Sequence, residues 1–313
     1  AMGDFTQLGW MTVWPDSIAF AAVDARAVYP ETVNTGEEMN LAYLYEQQFV
    51  KARPLEQELE SAVFTLFPVE NRLRTAHLYI DPGTWNLKPE SLEVEIENQT
   101  VEVLFTQSPS GSPYPSPEIT VSLEYGSRDR DLQFKLSWPV LRRIDAFSSE
   151  PVLDGYAAEG EYREPFQTDF ADFSGQPSRI PKTGFTVAND GEKLFVFVNM
   201  TDCAGDNEDY GGFIFGSQED SSRWLKVFND GSLEALILTP EGELIDWENG
   251  IDAEVTFTDD SWCIELAVDM DQLKIEDGQA FAHVYRSSGD DFGTWVYPID
   301  FDTSSMGRIW IDR

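Results

Sequence analysis

The sequence predicts an all-β protein built as two tandem β-sandwich domains. Three observations predict it. Apolar residues alternate with polar ones over short runs instead of recurring at helical spacing. Gly, Pro, Asn and Asp interrupt these runs at short intervals. Length supplies the third: at 313 residues the chain is too long for one ordinary sandwich and suits two. Apolar residues make up 42% and aromatics 13%, enough to pack a core and to rule out a globally disordered chain.

Residues 1–17 read as an irregular lead-in. Ala1-Met2-Gly3 looks like a cloning remnant with no leader after it, so any native leader is expected to have been removed. Trp10 and Trp14 either cover a sheet edge or sit in a linker. The first domain, 18–148, carries alternating or short buried runs at Ile18–Val28, Met39–Glu46, Glu58–Phe67, Leu73–Ile80, Leu92–Glu97, Val101–Thr106, Ile119–Tyr125 and Leu132–Trp138. Glu97-Asn98-Gln99-Thr100 reads as a hairpin turn between two of them. The Pro- and Gly-rich stretch from Ser108 to Pro117 is the most loop-like in the chain. This count of strands fits an immunoglobulin-like or jelly-roll sandwich.

Pro139–Glu150 reads as the boundary, where alternation stops and Arg142-Arg143 precedes a polar stretch. The second domain, 149–313, holds the strongest local signal. Two alternating runs, Phe185–Ala188 and Leu194–Met200, flank Asn189-Asp190-Gly191-Glu192. Asp-Gly between alternating apolar runs predicts a hairpin whose tight turn places both residues at positive φ. Further strands are expected at Gly212–Phe215, Trp224–Phe228, Leu233–Thr239, Leu244–Trp247, Ala253–Thr258, Trp262–Val268, Ala280–Arg286, Trp295–Ile299 and Arg308–Ile311, with one short helical turn at Asp269–Leu273.

Charge narrows the partners. The net charge is −36, split as −11 over residues 1–148 (22 Asp and Glu against 11 Lys and Arg) and −25 over residues 149–313 (35 against 10). Nucleic acid and anionic membrane both require a basic surface, so neither is expected. No apolar run approaches the ~20 residues of a membrane-spanning helix. The carboxylates suit a solvated, secreted surface, or a few of them bind calcium. Two cysteines occur, Cys203 and Cys263. They are either buried thiols or, in an oxidising compartment, a disulfide closing a long loop and contributing ~4 kcal/mol.

Several stretches of the second half, in order, resemble a known family. Leu153-Asp154-Gly155 followed by Glu161-Tyr162 resembles the opening of family 9-like carbohydrate-binding modules and related DOMON-like sandwiches. Asp190–Val198 followed by Asp202, Asp260–Val268, Leu273 with Phe281–Arg286, and Trp295 with Phe301–Ile309 resemble the pieces that follow. Tyr162 stands where the family has Trp, Asp269 where it has Pro, and Asp302 where it has His. The resemblance covers the second half and implies a sandwich of that family, non-catalytic and binding glycan. A secreted, periplasmic or cell-surface setting follows from it, as a whole protein or as a module of a larger surface chain.

Such binding would rest on aromatic faces stacked on sugar C–H surfaces with polar side chains at the hydroxyls. The candidates are Tyr210, Trp224, Trp247, Trp295 and Tyr297, with Asn249, Arg286, Asp290 and Asp291 as polar partners. Trp262 and Trp310, inside apolar alternation, read as core. Asp202, Asp206, Asn207, Glu208 and Asp209 offer enough oxygens for Ca2+, in a spacing that is not an EF-hand. The competing class is a structural or adhesive scaffold that binds no sugar. Within the DOMON-like resemblance, Met200 and His283 offer an axial pair for haem b. With His77 and His283 as the only histidines, no zinc or Ser-His-Asp constellation stands out. Asn98-Gln99-Thr100 and Asn199-Met200-Thr201 are glycosylation sequons, with meaning only on a eukaryotic secretory route.

Overall fold

The computed structural model describes residues 7–13, 18–24, 33–34, 50–56, 59–66, 74–96, 100–107, 112–123, 132–180, 182–201, 209–218, 221–258, 261–299 and 301–311. Among the described residues the regular structure is strands, with a short 3-10 turn at Met270–Gln272. β1 (Gln7–Val13) pairs antiparallel with β2 (Ile18–Asp24), which pairs with β3 (Val33–Asn34). The lead-in is therefore strand up to Val13: Leu8, Trp10 and Thr12 alternate well enough to pair in register with β2. The strand expected at 39–46 lies outside the described residues.

A two-sheet sandwich follows. Its strands are β4 (Val50–Ala52), β5 (Leu55–Glu56), β6 (Ser61–Leu66), β7 (Arg74–Asp81), β8 (Ser91–Ile96), β9 (Val101–Thr106), β10 (Glu118–Leu123) and β11 (Leu132–Ser137). One sheet runs β4-β6-β9 and the other β11-β10-β7-β8. Alternation puts Ala62, Phe64 and Leu66 of β6 against Ala76, Leu78 and Ile80 of β7 in one buried core. Trp138 meets Phe64 and Phe105 edge-on at 5.8 and 5.5 Å, and its indole N–H donates to the Arg53 carbonyl at 2.7 Å. Here one expectation fails. β8 and β9 do not pair with each other: β8 pairs with β7 and β9 with β6, in different sheets.

The second sandwich comprises β12 (Val140–Leu141), β13 (Arg143–Ser148), β14 (Thr183–Asn189), β15 (Lys193–Thr201), β16 (Tyr210–Gly216), β17 (Ser222–Phe228), β18 (Leu233–Leu238), β19 (Leu244–Asp246), β20 (Ile251–Phe257), β21 (Ser261–Asp269), β22 (Ile275–Glu276), β23 (Gln279–Ser288), β24 (Asp291–Thr294) and β25 (Gly307–Ile311), save that β12 pairs back with β5. The strands join edge to edge in the order β19-β18-β17-β16-β23-β25-β13-β14-β15-β21-β20, folded over so that Phe213, Leu225 and Val284 face Val187, Val196 and Leu266 across a common core. β13 makes the fold. Arg143–Ala146 pair in parallel with Arg308–Ile311 of β25, and Phe147 and Ser148 pair in parallel with Ala188 and Asn189 of β14. The stretch read as a boundary is thus the seam between the two layers. Local alternation over Arg143–Ser148 is present (Ile144 and Ala146 are buried), but its partners lie far along the chain.

The β14–β15 hairpin forms as expected, with Asn189 opposite Leu194. Its turn differs in chemistry. Gly191 takes positive φ (92°) while Asp190 does not; instead the Asp190 carboxylate accepts the N–H groups of Glu192 and Lys193 at 2.8 and 2.7 Å. The helical turn at 269–273 is a 3-10 turn, Met270–Gln272. Trp295–Ile299 is irregular, because Pro298 brings no N–H donor and the pairing with β23 is made one step earlier by β24.

The two sandwiches are bonded together. Tyr114, from the Pro-rich stretch, is buried; its hydroxyl donates to the Trp295 carbonyl at 2.8 Å and accepts the Tyr297 N–H at 3.1 Å. Arg142, also buried, donates to the carbonyls of Asp169 and Trp295 and to Gln167 Oε1. Burial pushes the Tyr114 hydroxyl up to about 12, so it remains a donor throughout the neutral range.

Candidate functional site

The residues selected from sequence do not form one site. Trp295 is 0% exposed, edge-on to Phe185 at 5.0 Å, and belongs to the core. Arg286 is also 0% exposed and spans the interior between the layers, where its guanidinium holds Asp209. Trp295 was read as a stacking ring and Arg286 as a polar partner of the ligand; the structure corrects both. Tyr297 packs at the junction beside Tyr114. Asp290 and Asp291 are exposed on the β23–β24 turn. Trp262 is fully buried as expected, whereas Trp310 is half-buried beneath the Arg143 guanidinium, 4.3 Å from its ring.

Of the calcium candidates, Asp202, Asp206, Asn207 and Glu208 lie outside the described residues. Asp209, 1% exposed, spends both carboxylate oxygens on Arg286 and is turned away from any surface cation. Cys203 also lies outside the described residues; Cys263 is buried in β21. Met200 and His283 cannot be axial partners: Met200 points into the core, and His283 alternates with Ala282 and Val284, which line that core, so it faces the opposite side of its sheet.

Trp247 and Asn249 sit together at the open side of the sandwich. Trp247 is 5% exposed; its N–H donates to Gln272 Oε1 at 2.8 Å and the Arg223 guanidinium lies 4.8 Å from its ring. It lines a cleft of about 430 Å³ together with Leu233, Leu236, Asp246, Glu248 and Ile251. The ring has little free face with which to stack on a sugar.

Tyr210 and Trp224 belong to a different feature. Side chains of β16, β17 and β23 alternate between the common core and the outer face of the sheet, and that outer face carries several aromatic rings, of which Phe281 and Tyr285 are buried. Ile214, Phe281, Tyr285 and Met306 form a second apolar cluster there, joined by half-buried Tyr210, Trp224 and Phe292. The Trp224 N–H donates to the Tyr285 hydroxyl at 2.5 Å. Tyr210 meets Tyr285 edge-on at 6.2 Å, and Phe292 lies 5.6 Å from Tyr285. Phe173, 69% exposed, stacks on Phe292 at 3.8 Å. Gly212 makes the arrangement possible, because a Cβ there would fall 2.0 Å from the Tyr285 ring. Lys226, ion-paired with Glu234 at 2.8 Å, holds its ammonium 4.4 Å from the Trp224 ring. Burial raises the Tyr285 hydroxyl well above the usual tyrosine value, so it stays protonated. Tyr285, Phe292, Phe173 and Lys226 were not selected from sequence. The signal that could have found Tyr285 is its place four residues after Phe281, on the same face of β23.

No protein-family model matches the chain, and no curated protein does. Among solved structures it is similar to a protein from Bacteroides uniformis described as carbohydrate-binding, at TM-score 0.41 and 13% identity over 55% of this chain and 99% of that one. Two more are family 9 carbohydrate-binding modules from Caldicellulosiruptor kristjanssonii, one in complex with cellotriose and one with glucose. Both match at TM-score 0.40 and 11% identity over 55% of this chain, and over 94% and 96% of theirs.

Three of the stretches that carried the family resemblance meet on the other layer. Glu265 of β21 accepts the N–H groups of Asp154 and Gly155, both at 2.8 Å, and the Tyr162 hydroxyl at 2.6 Å. Glu161 accepts the N–H groups of Val152 and Ala158. These residues fasten the 149–163 segment over β15 and β21, so they mark the fold and form no binding surface. Burial lifts the Glu265 carboxyl above its usual 4.5, against the hydrogen bonds that lower it. The folded state therefore holds this proton more tightly than the unfolded chain. That contribution to stability is full below pH 4.5 and is lost as pH rises through the raised value. Glu265→Gln cannot ionise, and its amide can donate to the Tyr162 oxygen. Its denaturant midpoint relative to the parent protein is expected to climb from about pH 4 to about pH 7; a pH-independent difference would place the Glu265 value at or below normal.

Proposed function

We propose that this protein is a non-catalytic glycan-binding protein acting outside the cytoplasm, and that its binding surface is the aromatic face formed by Tyr210, Trp224, Phe292 and Phe173, seated on the buried Tyr285. One observation carries the reading. The outer face of a sandwich sheet ordinarily carries polar residues, yet here rings occupy it, some half-buried and one largely exposed. Rings held by mutual packing and by the Trp224–Tyr285 hydrogen bond are rigid apolar surface edged with hydroxyl and ammonium groups. Sugar C–H faces and hydroxyls match that pairing. The first sandwich is read as immunoglobulin-like, supported by its sheet orders β4-β6-β9 and β11-β10-β7-β8, and as a spacer.

The test is retention of the purified protein on immobilised neutral polysaccharides, headed by glucans, with calcium and with excess chelator. Trp224→Ala is expected to weaken binding by about tenfold or more, equivalent to about 1.4 kcal/mol. Phe257→Ala, at an exposed ring on β20 in the other layer, should leave binding unchanged. Chelator sensitivity would bring the 202–208 stretch back as a metal site. No retention on any polysaccharide would leave a scaffold, with the rings serving a protein contact.

A further inference from the structure

The apolar groups of this face are not gathered at one point. They occur on consecutive hydrogen-bonded strands, β18-β17-β16-β23, with β24 beyond. Leu236 of β18 lies opposite Trp224 of β17; the next residue in that row, Ile214 of β16, is buried, and the accessible ring of β16 is Tyr210. Tyr210 of β16 lies opposite Ser287 of β23, which lies opposite Phe292 of β24. Phe173, stacked on Phe292, extends the series past the last strand. Neighbouring strands are ~4.8 Å apart, roughly the length of one pyranose unit in an extended chain, so the series spans about four such steps.

Its borders also matter. One flank is raised by the segment around Phe301, whose ring meets Trp224 edge-on and whose carbonyl accepts the Ser222 hydroxyl. Phe173, at 69% exposure, lets one end run into solvent. The other end passes Leu236 into the open cleft beside Asp246 and Glu248. Asp290 and Asp291 are exposed beside Phe292, and the ammonium on the face, Lys226, is already paired with Glu234. The strip is therefore open lengthwise, with carboxylates at both ends and the Arg308 guanidinium over the Phe281 ring on the Phe301 flank.

Resting on the glycan reading above, we propose that this face holds the interior of a long, uncharged polysaccharide lying across the strands from Phe173 to Leu236, and does not read a chain end. An open strip offers no wall against which a terminal sugar could be recognised, and carboxylates at its ends repel uronic or sulfated chains.

Calorimetric titration of the full chain tests this, using neutral glucan, mannan, xylan and galactan oligosaccharides of two to six units. Each is compared with its borohydride-reduced alditol, and carboxymethylated glucan serves as the anionic probe. Affinity is expected to rise about tenfold or more from two units to six. Terminal reduction should leave the six-unit affinity unchanged, and the carboxymethylated polymer should bind about tenfold more weakly than its neutral parent. Phe173→Ala, at an exposed ring, should lower affinity for six units while sparing two. Equal affinity for short and long chains, loss on terminal reduction, or preference for the anionic polymer would each overturn the inference and leave glycan binding standing. Binding of none of these sugars, or of the polysaccharides on the columns above, would overturn both.

Discussion

Replacing Arg286 with Met is expected to destabilise the protein by ~3–5 kcal/mol, the range for breaking a buried ion pair from one side. Its Nε and Nη2 donate to the two oxygens of Asp209 at 3.0 and 2.7 Å, and Nη1 donates to Thr183 Oγ1 and the Thr201 carbonyl at 3.1 and 3.0 Å. These bonds tie β23 and the start of β16, in one layer, to the β14–β15 hairpin in the other. Methionine removes every donor and leaves the Asp209 carboxylate buried without a counter-charge. A fall in melting temperature of roughly 10 °C is the expected reading. Arg286→Met combined with Asp209→Leu should recover most of it, since an apolar pair of similar volume avoids desolvating two charges. A single variant within about 1 kcal/mol of the parent would show that the layers are held without this tie.

Trp295→Ala is expected to cost a similar ~3–5 kcal/mol, through the cavity left by a fully buried ring. The ring packs edge-on against Phe185, and the Arg142 guanidinium lies 5.6 Å from it. The Trp295 carbonyl receives Tyr114 from the first sandwich, so loss of the ring should also loosen the junction. Chemical denaturation followed by Tyr and Trp fluorescence would read both effects, as a lower midpoint and, if the sandwiches part, as two transitions. Below its melting point the variant should still bind whatever the parent binds. Unchanged stability with lost glycan binding would return Trp295 to the ligand surface.

The sequence showed the strands of the second half well, because period-two alternation and Asp-Gly turns are local properties. The seam strand was missed for the opposite reason. Nothing within Arg143–Ser148 tells that its neighbours are β25 and β14, whose paired residues lie 165 and 41 positions further along. The same lack of long-range information misplaced Arg286 and Trp295. Their burial is created by Asp209, Phe185, Arg142 and Tyr114, and the adjoining Gly289-Asp290-Asp291 turn looks exposed because it is. The aromatic face was half legible. Tyr210 and Trp224 were found as aromatic candidates, but Tyr285 read as an ordinary strand residue and Phe292 as part of the Gly289–Gly293 turn. Which side of a strand meets solvent is decided by register with its partners, and a one-residue shift would invert it. The family-like stretches were legible as fold markers. Asp154, Gly155, Tyr162 and Glu265 turn out to be one hydrogen-bonded unit.

β13 enters the second sandwich directly from the first, and its opening residues run parallel to β25. Tension applied between the first sandwich and the end of β25 therefore draws two parallel strands past each other along their length. The four register pairs from Arg143–Arg308 to Ala146–Ile311 share that load and must fail together, instead of opening one after another as an antiparallel edge would when peeled. A molecule that grips a long polymer with one face while being pulled through its other end would meet the force with its most resistant geometry.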